Sequence, residues 1–176
     1  MTTTHVILTV TIVLLVGAAT CAKLAGGAPP IHDITTDTSD PPLFVDVLPL
    51  RAGAKNTAAY GGSRVAALQL AAYPDITPVD LAIAPAAAFA KALATANAMG
   101  WALVAADPAA GRIEATATTR VFRFKDDVVV RIRPHNDGSR VDVRSVSRFG
   151  GGDLGKNASR IREFIGRLRD AATHSP

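Results

Sequence analysis

The segment "VVVRIRPHNDGSRVDVRSVS", residues 128–147, constrains the fold most. Two runs rich in β-branched residues alternate apolar with charged side chains, and Asp137-Gly138 between them is a strong signal for a two-residue hairpin turn. A lone hairpin is marginal in water, so further strands or helices must cover its apolar face. The alternation puts Val128, Val130, Ile132, Val141 and Val143 on that buried face. With Asp137-Gly138 as the turn, Asn136 pairs with Ser139, Arg133 with Asp142, Ile132 with Val143, and Arg131 with Arg144. Arg133–Asp142 is a favourable pair, whereas Arg131–Arg144 repels unless something negative lies between. A turn at Lys125-Asp126 sets Arg120 opposite Arg131 and extends the row to three arginines. Asp33 or Asp37 from the preceding arm, Glu114 and Asp142 are the candidate internal partners, and an external anion is the alternative.

Upstream, "VDLAI" alternates as a half-buried strand. Pro85 suits a helix first turn, and Phe89, Leu93 and Ala96 form a stripe from there to Met99, with Gly100 as the stop. "WALVAAD" (101–107) and the Thr- and Val-rich 112–124 read as two more strands, and "SRVAALQLAAY" as a possible short helix. At the C-terminus, Leu154, Ala158, Ile161, Phe164, Ile165 and Leu168 mark an amphipathic helix of about four turns. The order β-α-β-β-β-β-α predicts an α+β two-layer sandwich, a mostly antiparallel sheet of about five strands with helices on one face. Aromatics are 5% of residues, so Val, Ile, Leu and Ala must supply most of the core. The globular part is expected at 51–172, after an extended, Gly-, Pro-, Thr- and Asp-rich arm at 26–50 and before a tail at 173–176.

Residues 1–25 read as a membrane anchor or signal. Val6 to Ala22 carries no charge, and the run continues past the lone Lys23 to about the length that crosses a bilayer as one helix. "MTTTH" lacks the basic start of a secretory signal, which favours a retained transmembrane helix over a cleaved one. The globular part is expected on the extracytoplasmic side. Lys23, on the C-terminal flank, argues for the cytoplasmic face, and cleavage would make the chain secreted. Cys21 is the single cysteine, so no internal disulfide can form.

Charge is unevenly distributed. Five basic residues face seven acidic ones before Gly111, and fourteen face eight from Gly111 onward, for a formal net charge of +4. A basic half suits an anionic partner such as a small anion or a lipid headgroup, or else a soluble mixed surface. The stretch "RSVSRFGGGDLGKN" (144–157) could hold such an anion at a helix start, through Arg144 and Arg148 with help from Lys156, Asn157 and Arg160. Asp153 competes for the same backbone N–H groups as a cap, and the glycine spacing matches neither a P-loop nor a dinucleotide fingerprint. A structural corner is therefore the expectation. The four histidines form no metal-ligand pattern, and no catalytic residue or cofactor motif stands out. His32-Asp33, or Asp37, in the arm are the nearest thing to a general base. The basic strands lack stacking aromatics apart from Phe122 and Phe124, which argues against nucleic acid.

"IHDITTDTSDPPLF", "YPDITP", "MGWALVAADPAAGRIEATATTRVFRFKDDVVVRI" and "SRVDVRSVSRFGGGDLGKNASRIREF" together resemble the uncharacterised bacterial and plastid family known as domain of unknown function 1499, over about Ile31 to Leu168. "FKDD", "RSVSR" and "DLGKN" are the stretches closest to that family's pattern. Its members often carry transmembrane helices ahead of the domain, which the resemblance extends to this chain. It implies no activity and no catalytic residue. The expected function is a membrane-tethered, non-enzymatic module that binds an anionic ligand or headgroup through Arg120, Arg131, Arg144, Arg148 and Lys156. The alternatives are a structural subunit of a cell-envelope or membrane complex docking a protein partner, and a hydrolase built on the arm's carboxylates.

Overall fold

The computed structural model describes residues 27–173. The expected anchor therefore lies outside the described residues, and among those described no helix is long and apolar enough to cross a membrane. In chain order the elements are β1 (Asp33–Thr35), a 3-10 turn (Leu48–Arg51), α1 (Gly62–Ala72), β2 (Val79–Leu81), α2 (Pro85–Ala98), β3 (Ala102–Asp107), β4 (Arg112–Thr118), β5 (Lys125–His135), β6 (Gly138–Ser147) and α3 (Lys156–Thr173).

Among the described residues the fold is α+β, with an antiparallel sheet of six strands and three helices. The sheet runs β1-β6-β5-β4-β3, and β2 pairs with the other half of the β6 edge that β1 occupies. One face buries Ile113, Ala115, Val128, Val130, Ile132, Val141 and Val143 against Phe89, Ala92 and Ala96 of α2 and Ala158, Ile161, Phe164 and Leu168 of α3. Phe164 stacks on Trp101 with ring centroids 5.2 Å apart, which adds a specific aromatic contact to the area buried. Gly100, at φ +71°, ends α2 in the left-handed conformation.

Several expectations need correction. The extended arm expected ahead of the globular part is built into it, since Ile31, Asp33, Ile34, Thr35, Phe44 and Val47 are buried and β1 belongs to the sheet. Strand β4 stops at Thr118, and residues 119–124 form the connecting loop, closed by hydrogen bonds from Thr119 N–H to the Phe124 carbonyl and from Phe124 N–H to Thr119 Oγ1. The hairpin turn is Asn136-Asp137 rather than Asp137-Gly138, because His135 pairs with Gly138. Asn136 adopts the positive φ the turn needs (+49°). Gly138 answers a different demand: a Cβ there would meet the Leu81 carbonyl oxygen at 2.1 Å. The true register sets Arg131 opposite Asp142, Arg133 opposite Arg140 and Arg144 opposite Val129. Since the offset is two residues, every side chain keeps the face expected for it.

α3 also starts later than its apolar stripe suggested. Leu154 (φ +52°) and Gly155 (φ +79°) are both left-handed, and Leu154 is 89% exposed. Asp153 closes the corner by accepting from the Gly155 and Asn157 N–H groups, each at 2.8 Å.

Candidate functional site

The sheet face opposite the helices carries charge where the helical face carries hydrocarbon. Rungs across β4, β5 and β6 read Arg112–Arg131–Asp142, then Glu114–Val129–Arg144, then Thr116–Asp127–Val146. The arm from Thr36 to Tyr60 lies over this face with little regular structure, and Phe44 and Val47, with Val129 and Val146, form a small apolar cluster there against which Ala58 and Val104 pack. Buried irregular backbone must find hydrogen-bond partners, and the charged rungs supply them.

Arg144, 1% exposed, donates to both carboxylate oxygens of Asp33 (2.9 and 2.7 Å), to the Pro42 carbonyl (3.1 Å) and to the Ala58 carbonyl (2.7 Å). Its guanidinium also lies over the rings of Phe44 and Tyr60, at 5.1 and 5.4 Å. Glu114, fully buried, accepts from the Val45 and Val47 N–H groups, each at 2.8 Å, and lies 3.1 Å from Arg112 Nε. Arg131 reaches Asp142 (2.9 Å), Asp40 (3.1 Å) and Asp37 (3.5 Å). Arg148 grips Asp127 (2.9 and 2.8 Å) and donates to the Leu50 carbonyl (2.7 Å). Tyr60 has its phenol pushed up to about 12, first by burial and then by the charge of Asp33, against the opposing pull of Arg144.

The predicted residues therefore do not converge. Arg131 and Arg144 share the face, each with its own carboxylates, and Glu114 serves the arm rather than standing between them. Arg120 is no part of the row: Arg112 faces Arg131, while Arg120 is exposed in the β4–β5 loop. Lys156 is exposed at the start of α3. Asn157 is consumed by Ser145, Ser147 and the His32 carbonyl, and Arg160 by Asp126 at 2.6 Å. The glycine corner is architecture.

Two features went unread in the sequence. Asp127 receives two guanidiniums, Arg51 and Arg148, and a hydroxyl, Thr116. All four residues are buried. Two cations against one carboxylate leave a unit of positive charge in low dielectric, where it is felt most strongly. Above this cluster opens a recess of about 420 Å³ lined by Gly53, Arg123, Phe124, Lys125, Arg148 and Phe149, among others. The alternation along "KDDVVVRI" puts Asp127 on the arginine face and was the available signal. Arg51, in the arm, offered none. A larger cavity of about 670 Å³ at the opposite end of the sheet is lined by Pro85, Phe89, Pro108 and Ile132, with Arg133 its sole charge, and Arg133 is held by Asp40 and Asp142. Among the described residues no group of His, Cys, Asp or Glu could hold a metal ion.

No curated protein matches the chain. A solved structure, that of TTHA0849 from Thermus thermophilus, is similar at 11% identity and a TM-score of 0.34, covering 56% of this chain and 97% of that one. The profile of the family described as "Protein of unknown function (DUF1499)" matches residues 33–168, a span that begins with β1 and ends inside α3, and the chain belongs to that family.

Proposed function

We propose that the chain is a membrane-tethered, non-catalytic binding module that takes an anionic, phosphate- or carboxylate-bearing group in the recess beside the β4–β5 loop, with the domain on the extracytoplasmic side. The observation that carries this reading is the uncompensated charge: Arg51 and Arg148 share the single carboxylate Asp127 beneath a recess rimmed by Arg123 and Lys125. Guanidinium and ammonium groups suit phosphate and carboxylate oxygens. Arg131 and Arg144, engaged by Asp142 and Asp33, are withdrawn from ligand duty. A stripe of exposed Leu43, Val45, Leu48 and Leu50 along the arm favours a second reading, a protein partner docked on the outside of the arm. The hydrolase reading gains no support, because both oxygens of Asp33 are occupied by Arg144.

The test is calorimetric titration of the detergent-solubilised full chain with inorganic phosphate, beside its Arg123→Gln/Lys125→Gln variant. Phosphate should bind the parent and not the variant, with unfolding temperature unchanged. Absence of binding to the parent, or equal binding to both, overturns the recess.

A further inference from the structure

The β4–β5 loop is a closed hairpin tip with an unusual composition. Four residues, Arg120-Val121-Phe122-Arg123, are closed by the Thr119–Phe124 pair. Loop tips ordinarily carry Gly, Pro, Asn, Asp or Ser. Here Val121 is 80% exposed, Phe122 74% and Phe124 55%, and the two phenyl rings stack on each other with centroids 5.7 Å apart. Arg123 holds a left-handed conformation, φ +57°, which L-residues with a long side chain adopt at a cost. Phe149, in the neighbouring corner, is exposed too. Interleaved with these apolar groups are Arg120, Arg123 and Lys125, none of which meets a carboxylate among the described residues.

The same end of the sheet is where the chain enters the domain. Ser147 N–H donates to the His32 carbonyl, Arg148 N–H to the Lys125 carbonyl, and Asp153 N–H to the Ile31 carbonyl. A Cβ on Gly152 would lie 3.4 Å from Pro30 Cα. The first described residues, the glycine corner and the base of the loop are thus immediate neighbours. The uncharged run Val6 to Ala22 precedes this entry point directly in the sequence.

We propose that the 119–125 loop, with Phe149 beside it, is the surface that seats the domain on an anionic lipid bilayer. The phenyl rings and Val121 enter the interfacial zone, and Arg120, Arg123 and Lys125 meet the headgroups. Apolar tips flanked by basic residues are what that boundary selects, since apolar area is buried while cations approach anionic lipid. This rests on the tethered reading and adds an orientation to it: the Asn136-Asp137 turn, at the other end of β5 and β6, points away from the membrane.

The full chain carrying Cys21→Ser and Phe122→Cys is labelled with a nitrobenzoxadiazole dye and reconstituted into phosphatidylcholine vesicles with and without phosphatidylglycerol. A second version carries the dye at Asp137→Cys. Emission at position 122 should shift to the blue in the phosphatidylglycerol vesicles and be quenched by doxyl-labelled acyl chains, while position 137 stays water-like. Each of Arg120→Gln, Arg123→Gln and Lys125→Gln should weaken this contact about fivefold, and added salt should weaken it further. A water-like signal at 122, or equal quenching at 137, overturns the proposal. So does a blue shift that ignores doxyl lipid and grows with protein concentration, which would mean a second copy covers the tip. Carbonate extraction of the same vesicles separates the two readings. A chain stripped by carbonate whose 122 probe was quenched keeps the tip and loses the tether, and a retained chain with a water-like probe does the reverse.

Discussion

The two faces of the sheet solve one problem, covering a strand surface, with opposite chemistry. Beneath α2 and α3 the solution is hydrocarbon: Val130, Ile132, Val141 and Val143 meet Phe89, Ile161, Phe164 and Leu168, and stability follows the apolar area removed from water. Beneath the arm it is ion pairs and charged hydrogen bonds, with Asp33, Glu114, Asp127, Asp142, Arg144 and Arg148 all buried. A helix satisfies its own backbone and can lie on an apolar surface. An irregular segment cannot, so its cover must come with donors and acceptors. The charge is there because the lid has little regular structure of its own.

The sharpest way to break this comparison is at Asp127. Asp127→Asn leaves Arg51 and Arg148 buried against a neutral group, and removing one partner of a buried pair costs roughly 3–5 kcal/mol. With two cations stranded, we expect the upper end, measured by denaturant unfolding. A loss below about 1 kcal/mol would mean the charged face contributes little. On the other face, Phe164→Ala should cost roughly 3–5 kcal/mol through transfer and cavity terms, in a slightly lower range because Trp101 can relax toward the space. The same denaturation series reads it, and the ratio of the two losses says which face dominates. The smallest effect belongs to Tyr60. Its phenol is raised from 10.0 to about 12, so its contribution is fully present below pH about 10 and is lost as pH rises through the folded value. In a Tyr73→Phe background, stability should fall over that window, and adding Tyr60→Phe should flatten the fall. An unchanged slope would detach Tyr60 from the charged face.

The helical face was legible because one period explains it: Ala158, Ile161, Phe164, Ile165 and Leu168 repeat at helical spacing, and all are buried. The strands were legible by alternation, which survived a misplaced turn because the error was an even number of residues. The turn itself misled since Gly138 looks like a turn glycine and is instead required by the Leu81 carbonyl. The charged face was only half legible. Alternation placed Arg131 and Arg144 on one face, but the demand for a shared negative partner rested on the wrong register: Arg131 lies opposite Asp142, and Arg144 is held by Asp33. The pairing of Arg51 with Asp127 spans 76 residues, and no local pattern encodes it. Nor does periodicity reveal that "TRVFRF" leaves the sheet at Thr119, because its β-branched and aromatic residues favour a strand.

The hydrogen bonds that hold the arm run mostly to its peptide groups: Pro42, Leu50, Asn56 and Ala58 through their carbonyls, Val45 and Val47 through their N–H groups. A grip on the main chain is blind to what hangs from it. Exchange of the exposed letters between Leu43 and Ala59 should therefore be tolerated widely, while a single insertion or deletion there would slide every carbonyl off its arginine. Relatives of this chain should drift in spelling along the arm yet keep its length, and most of the residues that enforce that length, Glu114, Arg144 and Arg148, sit on or beside the strands, far away in sequence.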